Sequence, residues 1–197
     1  MASRKALNQF LILPVLLITC FIFLGQCARL QNTEEGEDLV TATCKHTLHF
    51  KVCVSSLRSV PSSKSSDLKK LAEIALNLSS NYAAKTLSYV CKLKSSTANV
   101  TNSNRYMSRC LSDCIEEYKE ARENLQDSAE AFAEGDYDQV DTLVSAAMSD
   151  AETCEDGFKE VFIDDGNKDY SNPSLTKRNS YFFELCSNAL AITKLLV

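Results

Sequence analysis

Apolar side chains recur every three or four positions along most of this chain, the spacing of a helix with one buried face. Leu68, Leu71, Ala75, Leu78 and Tyr82 share such a face, which continues toward Val90 and Cys91. Ser95 to Ser103 is polar and reads as a turn. A second long helix then carries Cys110, Cys114, Tyr118, Ala121, Leu125 and Phe132 on its inner stripe. Gly135 is placed to close it, and Asp136, with Gln139 three residues on, has the spacing of a capping box for the next helix. That third helix buries Val140, Leu143, Val144, Ala147, Ala151, Cys154, Phe158 and Phe162, and Asp164 to Asn167 ends it. Asn172-Pro173 reads as an N-cap followed by proline in the first helical position. Phe182, Leu185, Ala189, Ile192 and Leu196 form the last stripe.

Upstream, Asp38 to about Leu57 holds two short helical stretches around His46-Thr47, giving a hairpin over residues 38–60. A serine-rich linker, Ser59 to Ser66, leads to Asp67 as N-cap of the first long helix. Five glycines and three prolines in 197 residues are too few for the tight turns of an all-β domain. The pattern predicts an all-α fold. Its long helices, residues 67–197, form an up-down-up-down four-helix bundle with the hairpin against one end.

The first 27 residues read as a separate leader. Arg4 and Lys5 precede an apolar run from Phe10 to Leu24, and Gly25 and Cys27 suit cleavage before Ala28. The run is shorter than the ~20 residues needed to span a bilayer. The expectation is a secreted domain, residues 28–197, with no membrane contact in its mature form. The leader takes two cations and no acid with it, so the net charge moves from −5 to −7. That balance disfavours nucleic acid and anionic membranes as partners.

In a secreted chain, cysteines read first as structural crosslinks. Cys44 and Cys53 flank the turn of the hairpin and would clip it. At ~1.5 Å rise per residue, Cys114 lies about 15 Å into the second long helix, and Cys154 reaches nearly the same height in the antiparallel third. Cys91, Cys110 and Cys186 remain. A Cys91–Cys110 bond is the candidate third bridge, with Cys186 a buried thiol; the alternative is that all three are small core hydrophobes.

Reactive chemistry is sparse. His46 and His49 are three apart but lack the carboxylate of a His-Glu-x-x-His motif, so they read as hairpin surface and no metal site is expected. There is no nucleophile elbow, phosphate loop or dinucleotide fingerprint, and no cofactor is expected. The acid pairs Glu116-Glu117, Glu155-Asp156 and Asp164-Asp165 read as solvated helix faces. Gly157 sits inside a helix, where it either allows close packing beside Cys154 or tolerates a bend. Asn77-Leu-Ser79 and Asn99-Val-Thr101 are glycosylation sequons, Asn99 in a polar loop and Asn77 on a helix.

Several of these segments, in order, resemble the plant invertase and pectin methylesterase inhibitor family over residues 38–197. They are the eight residues between Cys44 and Cys53, Asp113-Cys114 with Tyr118 and Ala121, and Thr153-Cys154 with Asp156 and Phe158. The run Cys154 to Glu160 and the ending Ala189 to Leu196 are similar to the invertase-inhibitor-like subgroup that includes pollen allergens. The resemblance implies a four-helix bundle with an N-terminal hairpin and bridges Cys44–Cys53 and Cys114–Cys154. It also implies a non-catalytic protein that occludes an enzyme's active-site cleft, in the apoplast or cell wall, or in the vacuole. The partner it implies is pectin methylesterase or invertase. Characterised invertase inhibitors carry Pro-Lys-Phe after the Gly-Asp preceding the third bundle helix. Here Gly135-Asp136 is followed by Tyr137-Asp138-Gln139, which tilts the expectation toward pectin methylesterase and leaves Asp136, Tyr137 and Asp138 as candidate target contacts. A small-molecule carrier is the competing class, and it requires a large internal cavity.

Overall fold

The structure, a computed structural model, describes residues 38–97, 103–159 and 172–197. Helices α1 (Leu39–Cys44) and α2 (Phe50–Arg58) form the hairpin. A 3-10 turn over Pro61–Ser65 replaces the expected irregular linker and leads into α3 (Leu68–Thr97). Three more long helices follow: α4 (Ser103–Glu134), α5 (Tyr137–Lys159) and α6 (Pro173–Thr193). Each long helix packs against two others, in the cyclic order α3–α4–α5–α6, so the four close into an up-down-up-down bundle. The proposed leader, residues 1–27, lies outside the described residues, as do Asn99, Phe162 and the stretch Asp164–Asn167.

Caps fix the helix starts. Thr41 N–H donates to Asp38 Oδ1 at 3.1 Å, and Lys70 N–H donates to Asp67 Oδ1 at 2.7 Å. Asn172 Oδ1 accepts from Ser174 N and Leu175 N, with Pro173 in the first turn where its missing N–H is harmless. The α4–α5 corner is a Schellman turn: Gly135 N–H donates to Phe132 O at 3.1 Å and Asp136 N–H to Ala131 O at 2.9 Å. Gly135 takes φ 83°, a backbone that side-chain-bearing residues adopt at a cost. Asp136 Oδ1 accepts from Gln139 N–H at 3.0 Å. Because the Asp136 N–H already donates to Ala131, the reciprocal half of the capping box has no donor.

The inner stripes meet in one core. Leu71, Val90, Tyr118, Leu125, Val140, Val144, Phe182 and Ile192 are fully buried or nearly so. The Tyr118 and Phe182 rings tilt against each other at 5.7 Å. The hairpin docks through Val40, Cys44, Cys53 and Leu57, all buried, and Asn188 Nδ2–H of α6 donates to His49 O at 3.3 Å. Arg58 Nη2 lies 2.6 Å from Asp38 Oδ2, joining the hairpin's two ends. The buried apolar side chains cluster in a core shared by the hairpin and all four long helices.

Cys44 is bonded to Cys53 and Cys114 to Cys154, with Cα separations of 5.6 and 4.6 Å. Their sequence separations are 9 and 40, for which loop-closure entropy gives roughly 2.5 and about 4 kcal/mol. The candidate Cys91–Cys110 bond does not form. Helix α3 continues six residues past Cys91, which faces solvent instead of ending the helix beside α4. Cys110 faces α5, where its Sγ–H donates to Gly157 O at 3.3 Å. Cys186 is fully buried, and burial pushes its thiol up to about 12, with a Ser79 hydrogen bond opposing. A thiol so rarely ionised is a small core hydrophobe.

Gly157 has nothing within 4 Å of where a Cβ would stand, so the close-packing reading does not hold. Gly157→Ala is therefore expected to raise stability by about 1 kcal/mol through helix propensity. Gly135→Ala, forced into the left-handed region, is expected to lower it by about 1 kcal/mol. Thermal melts of the two variants should shift in opposite directions, and equal shifts would contradict this account.

Candidate functional site

The segment after Gly135 is held at the corner where α4 ends. Asp136 is exposed, with its carboxylate engaged as the α5 cap. Tyr137 is half-buried, its ring 5.7 Å from that of Phe132. Asp138 is exposed in the first turn. Tyr137 and Asp138 line a small cleft of about 70 Å³ with Asp141, Leu190, Thr193, Lys194 and Val197. Lys194 Nζ lies 3.1 Å from Asp141 Oδ1 across it. The structure thus brings two of the three candidate contact residues, Tyr137 and Asp138, together with residues 193–197, while Asp136 is not part of that cleft. Two of the three are also tied to the fold: Asp136 through its cap and Tyr137 through its ring contact.

A second constellation was not legible from the sequence. Tyr118 is fully buried on α4, and its hydroxyl donates to Asn179 Oδ1 of α6 at 2.7 Å. Asn179 Nδ2–H donates to Glu155 Oε2 of α5 at 2.8 Å, and Thr176 Oγ1–H donates to Glu155 Oε1 at 2.9 Å. Asn179 Nδ2 also lies 3.8 Å from Cys154 Sγ. Three helices are therefore joined by one polar chain beside the Cys114–Cys154 bridge. Burial drives the Tyr118 phenol far above its ordinary range, so it remains a neutral donor. Glu155 departs from the solvated-face reading of the acid pairs, because it is the acceptor hub of this network. Its outer edge opens into a groove of about 440 Å³ with His49, Glu152, Phe183 and Glu184. His49 Nδ1 lies 3.9 Å from Glu184 Oε1 there. His46 is exposed, and among the described residues neither histidine belongs to a group of three or more possible metal ligands. Beside His49, Leu48 is 89% exposed, a surface hydrophobe that periodicity did not flag.

Among the described residues, one carboxylate cluster stands out: Glu117, Glu120 and Asp150, with side-chain oxygens within 4.8 Å of one another. Asn124 Nδ2–H donates to Asp150 Oδ2 at 3.1 Å. Desolvation first, then Asp150, Glu120 and Asp113, hold the Glu117 carboxyl above its ordinary value. Desolvation likewise raises Asp150, reinforced by Glu120 and opposed by Asn124. Asn77 of the first sequon is exposed on α3, with Ser79 buried beneath it.

Among the described residues, no nucleophile, base and oxyanion site come together. What the fold defines is a helical bundle tied by two disulfides. The family profile of the plant invertase/pectin methylesterase inhibitors matches residues 38–192. The chain belongs to that family, whose members are non-catalytic protein inhibitors of one or other enzyme. A protein of Platanus orientalis described as "Putative invertase inhibitor" is 33% identical over 165 residues, covering 81% of this chain and 90% of that one. Pectinesterase 1 of Citrus sinensis is 28% identical over 187 residues, which are 88% of this chain but 31% of the enzyme. A crystal structure of a pectin methylesterase inhibitor from Arabidopsis thaliana superposes with a TM-score of 0.57 at 25% identity, covering 80% of this chain and 95% of that one.

Two outcomes follow from the site. Tyr118→Phe leaves Asn179 Oδ1 without its buried donor and is expected to cost about 1–3 kcal/mol in denaturant unfolding. An unchanged midpoint would remove the network from the account. The raised Glu117 and Asp150 carboxyls contribute stability that is full below their unfolded pKa and lost as pH rises through the folded one. Glu117→Gln should therefore raise the melting temperature at pH 7 and leave it nearly unchanged at pH 3. The reverse pattern would show that the cluster is not repulsive.

Proposed function

We propose that the protein is a secreted inhibitor of pectin methylesterase that covers the enzyme's active-site cleft through a non-covalent interface. The observation that carries this reading is the start of α5. Where the resemblance calls for Pro-Lys-Phe in an invertase inhibitor, this chain has Tyr137-Asp138-Gln139. Tyr137 is folded onto Phe132, so neither a cation nor a free phenylalanine projects there. The Citrus sinensis pectinesterase adds support, because a relative of almost this whole domain forms part of that enzyme's chain. A bundle face covering the cleft would bury about 1,600 Å² in a complex of standard size. Delivery to the cell wall rests on the leader over residues 1–27, and the vacuole is the other destination such a leader serves.

Invertase inhibition is the second reading, favoured by the Platanus orientalis relative's name. Under it, Asp136, Tyr137 and Asp138 make the target contact, by chemistry other than the tripeptide's. Titrating the purified protein against a pectin methylesterase and an acid invertase separates the two. The expected outcome is loss of ester hydrolysis at micromolar inhibitor with sucrose hydrolysis intact. Loss of sucrose hydrolysis that Tyr137→Ala abolishes would instead assign the protein to invertase. The combined change Tyr137→Pro, Asp138→Lys and Gln139→Phe should confer invertase inhibition, since proline is well tolerated in the first helical position.

A further inference from the structure

Charge is divided between the two halves of the bundle. Helices α4 and α5 together carry fourteen acidic and five cationic side chains, whereas α3 and α6 carry seven cationic and two acidic ones. Since α3 and α6 are neighbours, the cations of an acidic protein collect on one side. An open groove of about 480 Å³ runs between these two helices. Asn81, Lys85, Ser88 and Lys92 line one wall at the i, i+4, i+7, i+11 positions of a single helical stripe. Lys85 and Lys92 are therefore two turns apart, about 10 Å along the axis.

The opposite wall is Arg178, half-buried, with its guanidinium 4.3 Å above the Tyr89 ring. Tyr89 is itself held by its hydroxyl, which lies 3.4 Å from the Asn172 cap oxygen. No acid of these helices neutralises the groove. Glu73 is paired with Lys70 at 2.8 Å, and Glu184 faces His49. Among the described residues, Lys85, Lys92 and Arg178 have no carboxylate within ion-pair distance.

We propose that this groove binds a carboxylate-bearing sugar chain, an oligouronate. Point charges spaced along a shallow, open channel suit a ligand whose anions repeat along its length better than one compact dianion. The Asn81 amide and Ser88 hydroxyl offer partners to sugar hydroxyls between the charges, and Tyr89 gives an apolar edge for a sugar ring. The groove's preference for anions stands on its own residues. The choice of a uronate rests on the pectin methylesterase reading, because hydrolysis of a sugar-acid methyl ester releases methanol and leaves the carboxylate on the polymer. An inhibitor with such a groove would stay on the wall where its target has already worked.

The test uses the full mature protein, without enzyme, on sodium polygalacturonate, on its methyl-esterified counterpart and on inorganic phosphate. Wild type is expected to bind the polygalacturonate and not the ester. Lys85→Glu with Lys92→Glu, both exposed, should weaken that binding by about tenfold or more by placing like charge in the channel. Absence of wild-type binding, equal binding by the double variant, or displacement by phosphate at matched charge would each overturn the proposal. The same variants are assayed for inhibition of pectin methylesterase, where inhibition is expected to persist. If the double variant loses inhibition and wild type does not bind the polymer, the groove belongs to the enzyme interface and the proposal fails. Failure of wild type to inhibit, with polymer binding intact, sinks the functional reading and leaves the groove standing.

Discussion

The Cys114–Cys154 bridge lies where three long helices meet, and the register of the bundle follows from it. It sets α4 and α5 level at one depth, with Cα atoms 4.6 Å apart. The next residue, Glu155, can then accept from both Thr176 and Asn179 of α6. Asn179 in turn accepts from Tyr118, one helical turn beyond Cys114 on α4. A one-residue slip of α5 would rotate Glu155 by about 100° and leave buried Asn179 and half-buried Thr176 without their acceptor. The bridge contributes mainly by restricting the unfolded chain, while the polar chain penalises every wrong register. Together they give a bundle of ordinary apolar stripes one arrangement instead of several.

Much of this was legible in the sequence. The stripe Cys110, Cys114, Tyr118, Ala121, Leu125 and Phe132 is buried in full. Asp38 aside, the caps at Asp67, Asp136 and Asn172 were readable because capping is local: a short polar side chain next to a periodic run has few other uses. Legibility failed where a residue's role depends on a helix distant in sequence. Glu155 beside Asp156 looks like any solvated acid pair until α6 places Asn179 against it. Cys91 carries the period of the α3 face only approximately, and over a helix of 30 residues that drift turns it to solvent. Arg178 gave no signal at all, since nothing in its neighbourhood announces Tyr89, 89 positions earlier in the chain's first half and adjacent only in the fold.

Inhibition by a scaffold of this kind depends on surface held in place before binding, because ordering side chains at an interface offsets part of the gain. The corner at Gly135 illustrates the constraint. Its Schellman turn uses the Asp136 N–H, its cap uses the Asp136 carboxylate, and Tyr137 is packed on the helix it has just left. A corner so engaged offers a partner its shape more than flexible reach. Target choice then falls to what projects from rigid helices, and there the chain's clearest statement is electrostatic. Acids predominate on α4 and α5 and cations on α3 and α6, so an approaching surface meets a field with a defined orientation rather than a uniform negative shell. Since the bridge and its polar network fix the helices that carry those charges, that orientation is a property of the fold, set before any partner arrives.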